Sequence, residues 1–368
     1  MSDSHSLPIQ AAAMPLRLPR LDGLRAVAIT GVLLEHFRTS RQVFDLSPGG
    51  AGVVLFFVLS GYLITRLLLD YRDRGVPLTA AARHFWWRRL LRLGPPVWLL
   101  IATTCLVGAD QMRQQWWIHG LYLTNLTIAA AGRWCTGADH FWSLCTEEQF
   151  YLLWFFVVVA MPSRWLVPAI LAAIATTLLF RLVVWRMHGS VLLVVALPGD
   201  LAELAIGSLL ALTGRRPALD ALRRALLDRR LLALTGLAFV VSTLALRTVP
   251  FNQIVAYPFI ASAFFACLVM RATRPGPDTG FGWLAWRPLR HVGRISYGIY
   301  VYHFFVRELV AHLPGMSARV NAGGWVMFVL LSAAAILAAH LSWLWMERPV
   351  ARWKDRVPQP AGVCPVAS

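Results

Sequence analysis

The sequence is nearly empty of lysine and poor in charge of any kind. Lys354 is the only lysine, so the basic side chains are almost all arginine. Charged residues make up 14% of the 368 positions. A soluble domain carries about 25%, so a soluble globular fold is excluded on composition. The net charge is +17. Such a surplus can serve nucleic acid, but here the arginines lie between apolar runs. That is the positive-inside pattern of a membrane protein, and no nucleic-acid partner is expected. The five cysteines, Cys105, Cys135, Cys145, Cys267 and Cys364, lack the spacing of a metal site, so no metal is expected. Cys135 and Cys145 are near enough in sequence to meet outside a membrane, but nothing in the sequence requires it. No cleavable signal peptide, internal repeat or appended soluble catalytic domain is evident.

What the chain does have is apolar length. Hydrophobic residues make up 58% of it, in runs of about 20 that recur from end to end. This predicts an all-α polytopic membrane helix bundle. The expected spans are 21–39, 50–69, 93–109, 141–161, 165–185, 190–213, 231–248, 252–270, 295–312 and 323–346. A shorter apolar stretch, 115–131, is interrupted by His119, Asn125 and Thr127. Basic clusters fall at Arg17/Arg20, Arg72 to Arg92, Arg215 to Arg230, Arg271 to Arg294 and Arg348 to Arg356. All five lie on one side only if 115–131 does not cross, as a re-entrant or surface-lying segment. The expectation is therefore ten spans with both termini cytoplasmic. Residues 1–20 and 350–368 are the tails, and 21–349 form the membrane domain.

Ionisable residues inside apolar spans are costly and mark function by default. The first span, LDGLRAVAITGVLLEHF, holds Arg25 and His36. They share a helix face, about 16 Å apart along the axis. The plainer reading is a snorkelling arginine and a packed histidine. The fourth span opens with FWSLCTEEQFYLLW, which sets Ser143, Glu147 and Tyr151 in one stripe. On the expected topology Ser143 and Glu147 lie at about the depth of His36. A histidine beside a carboxylate suits general-base work, because the carboxylate fixes the imidazole tautomer. The alternative is a His–Glu pair that only joins two helices. Glu148 points about 100° from Glu147, and one of the two is free to face headgroups.

The segment HFWWRRLLRLGPP places Arg88, Arg89 and Arg92 beside Trp86 and Trp87 on the cytoplasmic side. Guanidinium forks bind phosphate bidentately, which suits a nucleotide-bearing cofactor such as coenzyme A. An ordinary positive-inside anchor is the competing reading. In RISYGIYVYHFFVRELV, residues Ser296, Tyr300, His303 and Arg307 share a face, with His303 expected near mid-membrane. This stripe lines a substrate path or bonds to neighbouring helices. Gly49-Gly50-Ala51-Gly52 reads as close helix packing, and Met346-Glu347-Arg348-Pro349 as a helix stop with an ion pair.

Taken in order, these strings resemble acyltransferase family 3, membrane O-acyltransferases of sugars and some secondary metabolites. They are LDGLRAVAITGVLLEHF, GVVLFFVLSGYLIT, WRRLLRLGPP, FWSLCTEEQFYLLW, SYGIYVYHFFV and MERP, which together run over nearly the whole chain. The resemblance implies family roles for Arg25 and His36, for Arg89 and Arg92, and for Ser143 and Glu147. It implies an acyl-CoA co-substrate, most often acetyl-CoA, bound from the cytoplasm, and a stand-alone form without an esterase-like domain. Two positions depart from the family pattern. Val54 stands where aspartate is usual, and Asp200 and Ala202 stand where arginine and aspartate are frequent.

The expected function is transfer of an acyl group, with acetyl first in line, from acyl-CoA to a hydroxyl of a glycan or glycosylated acceptor at the outer side of the inner membrane. His36 and Glu147 are the catalytic candidates, and Arg25, Arg88, Arg89 and Arg92 the cofactor-binding ones. Ser143, Tyr151, Tyr300 and His303 line the substrate path. The alternative is a transporter or flippase of a lipid-linked sugar. Such folds show repeats, and none is visible here.

Overall fold

The structure is a computed structural model that describes residues 18–38, 47–107, 110–134, 138–188, 194–274, 276 and 280–353. Its helices begin with α1 Pro19–Phe37, α2 Pro48–Asp73, α3 Leu78–Val107, α4 Asp110–Gly120, α5 Thr124–Ala131, α6 Phe141–Ala160, α7 Leu166–Arg186 and α8 Leu197–Leu212. They continue with α9 Asp220–Leu226, α10 Arg229–Leu244, α11 Tyr257–Ala272, α12 Arg287–Arg294, α13 Ser296–Ala311, α14 Ser317–Ala322, α15 Trp325–Ser342 and α16 Arg348–Ala351. No strand occurs among the described residues.

Five helical stretches are long and apolar enough to cross a membrane: Pro48–Asp73, Phe141–Ala160, Ser163–Arg186, Asn252–Ala272 and Trp325–Ala351. The other expected spans are shorter or more polar as helices. Three of them, α8, α10 and α13, have 16 residues each, and α1 carries Arg20, Asp22, Arg25 and Glu35. Large apolar side chains such as Leu152, Phe156, Val326 and Leu330 are exposed, as on a bundle solvated by lipid. The stretch 115–131 falls on two helices of 11 and 8 residues. Neither approaches the ~20 residues a crossing needs. Between them Tyr122 takes a left-handed turn, with φ 57°.

Local chemistry explains several boundaries. Proline opens α1, α2 and α8, where its missing N–H has no helical partner to lose. Pro95 and Pro96 lie inside α3. They remove two donors from the ladder. Nearby, the Tyr297 hydroxyl donates to the Leu93 carbonyl at 2.9 Å. The MERP segment does not stop a helix. A π turn over Trp343–Glu347 leads on into α16. In place of the expected ion pair, Glu347 accepts from Ser342 at 3.1 Å and Arg348 lies over the Trp343 ring. Cys145 is a buried free thiol, while Cys135 falls outside the described residues.

Helix α2 is the hub, packed on α1, α6, α8 and α11. Its glycines set the spacing. A Cβ at Gly52 would overlap the Ala28 carbonyl of α1, and one at Gly61 the Leu204 carbonyl of α8. The contact is reciprocal, since a Cβ at Gly207 of α8 would overlap the Val58 carbonyl of α2. This is backbone-to-backbone approach of the kind small residues permit between membrane helices. Gly207→Ala should therefore destabilise the fold by about 1–3 kcal/mol through overpacking. Gly214→Ala, with nothing within 4 Å of its added Cβ, is the control. Thermal unfolding of both purified variants in detergent checks this, and equal midpoints would count against the close-packing account.

Candidate active site

Two apolar clusters build the interior. One joins α2, α6, α8 and α11, and the other joins α1, α13 and α15. Between them lies a cavity of about 380 Å³. Among its lining residues are Arg25, Arg88, Arg89, Arg92, Ser143, Glu147, Tyr151 and Tyr300. Those are eight of the ten residues singled out from sequence. His36 and His303 are not among the lining residues. Five guanidinium groups face the cavity (the fifth is Arg294), against the carboxylates of Asp22 and Glu147. Its lining from α2 is largely apolar, with Phe56, Phe57, Leu63 and Ile64.

The arginines are not equivalent. Arg89 donates from Nε to both Glu148 oxygens, at 2.9 and 3.1 Å. Its guanidinium also sits 3.4 Å from the Tyr151 ring centroid. Glu148 thus does not face headgroups: it is turned inward as the counter-ion of Arg89. Arg92 has no hydrogen bond or ion pair among the described residues. Burial, followed by the like charges of Arg25 and Arg89, pulls it down to about 10. It is still a cation at neutral pH, but one short of an anion. Arg25 likewise makes no ion pair among the described residues. At the foot of α3, His84 is buried against Tyr71, with Nδ1 2.6 Å from the hydroxyl. Burial first, and Arg88 second, push His84 down to about 4, so it is neutral.

On α6 the stripe forms as the spacing predicts. Glu147 accepts from Tyr151 at 2.7 Å and from Ser60 of α2 at 3.0 Å. Ser143 and the Tyr300 hydroxyl are 2.6 Å apart, and Tyr300 also donates to the His140 carbonyl at 2.9 Å. This knot of α6 and α13 is part of the cavity wall.

His36 lies beyond that knot, and its partner is not Glu147. His36 Nδ1 is 3.0 Å from His303 Nε2. His303 is therefore level with His36 rather than deeper in the bundle, as the sequence had suggested. The physical reason is that α13 packs directly on α1, while Glu147 faces α2 and the cavity. His303 is fully buried, and its Nδ1 is 2.6 Å from the Tyr300 carbonyl. Phe304 packs on both His36 and His303, with ring centroids 4.7 Å away in each case.

Two groups were missed. His140 is buried, with its ring centroid 4.9 Å from that of His303. Its position just before the FWSLC string was the available signal. Arg181 of α7 is 2% exposed and bonds Asp200 at 3.0 Å and Glu203 at 2.8 Å. Its signal was an arginine in the middle of an apolar span. Asp200, which stands where the family pattern often has arginine, thus meets a guanidinium from the preceding helix.

The model of the acyltransferase domain family matches residues 18–344. The chain belongs to the acyltransferase 3 family. YrhL of Bacillus subtilis is 31% identical over 362 residues, covering 90% of this chain and 55% of YrhL. The O-acetyltransferase OatA of Staphylococcus aureus is 28% identical, with 91% of this chain and 57% of OatA covered. The peptidoglycan O-acetyltransferase OatA of Listeria monocytogenes is 27% identical, with 90% and 56% covered. The chain spans a little over half the length of these relatives. No solved structure matches.

Within this acyltransferase-family core, the two arginines of the arginine-x-x-arginine string do different work. Arg89→Ala strands the buried Glu148 charge, and should cost about 3–5 kcal/mol of stability. Arg92→Ala relieves like-charge crowding and should leave the unfolding midpoint unchanged or raise it. Melting curves of the two variants in the same detergent decide, and a larger loss for Arg92→Ala would overturn the division.

Proposed function

We propose that the chain is an integral-membrane O-acetyltransferase that takes its acyl group from acyl-CoA and delivers it to a glycan hydroxyl. The observation that carries this is the cavity. Its five guanidiniums outnumber its two carboxylates, and Arg25 and Arg92 stand unpaired among the described residues. A polyanion with a slender arm, such as acetyl-CoA, fits that demand. Its phosphates would take the forks of Arg25 and Arg92, with Arg88 close by and Arg89 held as the scaffold for Tyr151. The arm would run along the apolar lining from α2 to the Ser143–Tyr300 contact. The names of the relatives support a glycan acceptor, with peptidoglycan first in line.

In this reading the bundle has ten spans and cytoplasmic termini, in the inner membrane. The arginine clusters support that orientation. Acyl-CoA enters from the cytoplasm, and the acceptor meets His36 from the outer side. His36 takes the acceptor O–H proton as the hydroxyl attacks the thioester carbon. The C–O bond forms, the C–S bond breaks, and the proton passes to the departing thiolate. Glu147, fixed by Ser60 and Tyr151, supplies negative charge to the arginine-rich cavity through which the thioester approaches.

The test is initial-rate transfer by the purified chain, with acetyl-CoA and peptidoglycan glycan strands, read as CoA release. His36→Ala should lower turnover by about 10²–10⁴-fold, with acetyl-CoA binding retained. Arg92→Ala should chiefly raise KM for acetyl-CoA, and lysine at that position should rescue poorly for want of a planar fork. Wild-type turnover in His36→Ala would remove the base from the mechanism. Topology is tested separately, by thiol labelling of intact cells carrying Arg223→Cys. The cytoplasmic assignment predicts protection, and strong outside labelling would reverse it.

A further inference from the structure

The two histidines between α1 and α13, outside the cavity lining, form a directed pair. His303 Nδ1 is 2.6 Å from the Tyr300 carbonyl oxygen of its own helix. A carbonyl only accepts, so Nδ1 carries the hydrogen. The neutral ring then has its lone pair on Nε2, which is 3.0 Å from His36 Nδ1. His36 Nδ1 must therefore be the donor, and the lone pair of neutral His36 is left on Nε2. Burial keeps this order. His303 is fully enclosed, while His36 is only partly covered. Phe304 fixes both ring planes, and Tyr300 is itself tied to Ser143 and to the His140 carbonyl.

From this we infer that His303 is the positioning residue of the acyl-transfer site. It sets the tautomer of His36 and aims its basic Nε2 at the acceptor hydroxyl. The inference rests on the proposed role of His36 as base. When Nε2 takes the hydroxyl proton, the imidazolium keeps its Nδ1–H bond to the His303 lone pair. His303 keeps its Nδ1–H on the Tyr300 carbonyl throughout and serves as the acceptor at Nε2. Return of the proton from Nε2 to the CoA thiolate restores the starting pair. A histidine here does the orienting work that a carboxylate does in a hydrolase triad, without placing a further negative charge in an apolar bundle. The charged and titratable groups facing the pair are Arg307 of α13 and His140 ahead of α6.

The experiment compares His36→Ala, His303→Leu and His303→Gln in the purified full chain, with acetyl-CoA and peptidoglycan glycan strands. Leucine offers no acceptor, so the His36 tautomer is released. The expected result is a fall in kcat of about 10²-fold, in the range of a lost proton-transfer arrangement, with KM for acetyl-CoA unchanged. The carboxamide oxygen of glutamine reaches the place of Nε2 and accepts from His36 Nδ1–H. It should restore kcat to within about tenfold of wild type. A merely structural role would lower the folded yield without this acceptor-dependent recovery. If His36→Ala is dead while His303→Leu keeps wild-type kcat, the positioning inference fails alone. It also fails alone if glutamine is no better than leucine at equal KM. If His36→Ala itself turns over normally, the base reading fails and takes the inference with it.

Discussion

This bundle is arranged around positive charge gathered on one cavity. Five guanidiniums converge on one cavity, in a chain that is otherwise sparing with charge. Burying one cation in a medium of low dielectric is costly, and burying several together is costlier. The fold meets part of that demand internally. Glu148 neutralises Arg89, and Glu147 is held facing the cavity by two hydroxyls. The remainder is left open at Arg25 and Arg92. A site with uncompensated charge is one whose stability improves when a suitable anion arrives, which ties ligand binding to folding of the same helices.

The contrast with Arg181 makes the point sharper. There a single guanidinium meets two carboxylates and the Gly199 carbonyl, at 2.7 Å from Nε. That cluster pairs its one cation with two carboxylates, though Arg181 Nη1 is buried without a hydrogen-bond partner among the described residues. The bundle thus treats buried arginine in two ways. One is an ion-paired joint between α7 and α8. The other is a cavity wall deliberately short of counter-ions, and this difference separates structural charge from charge available to a ligand.

Sequence reasoning reached the helical class and the closeness of Gly52 to its neighbour, and eight of its ten candidate site residues line the cavity. It succeeded because those signals are local. An i, i+4, i+8 stripe on one helix or an i, i+3 arginine pair sets its own geometry. It stopped where geometry depended on which helices touch. Arg89 and Arg92 read as one motif, yet only the packing of α3 against α6 shows that Glu148 takes Arg89 and leaves Arg92. The partner of His36 was placed on α6, since a carboxylate is the commoner companion of a basic histidine. The contact of α1 with α13 put a second histidine there instead. Nothing within either helix encodes that choice. It follows from the glycine-set closeness of α2, which fixes where α1 lies and hence which side of α13 it meets.

The separation of the histidine pair from the cavity has a mechanistic consequence. Tyr300 stands between them, bonded to Ser143 on the cavity side and one turn from His303 on the other. In the proposed reading, an acyl group held at the arginines would reach an acceptor at His36 past this hydrogen-bonded Ser143–Tyr300 contact. In that reading, the buried Tyr300 and His303 would keep water from the base. Water is the competing acceptor for any thioester, and desolvating the base while keeping it oriented favours transfer over hydrolysis. The basic residues and the histidines need different supports. The arginines rely on long-range charge and tolerate a wide cavity. The histidines depend on hydrogen bonds near 3 Å, and are held by Phe304 packing between α1 and α13.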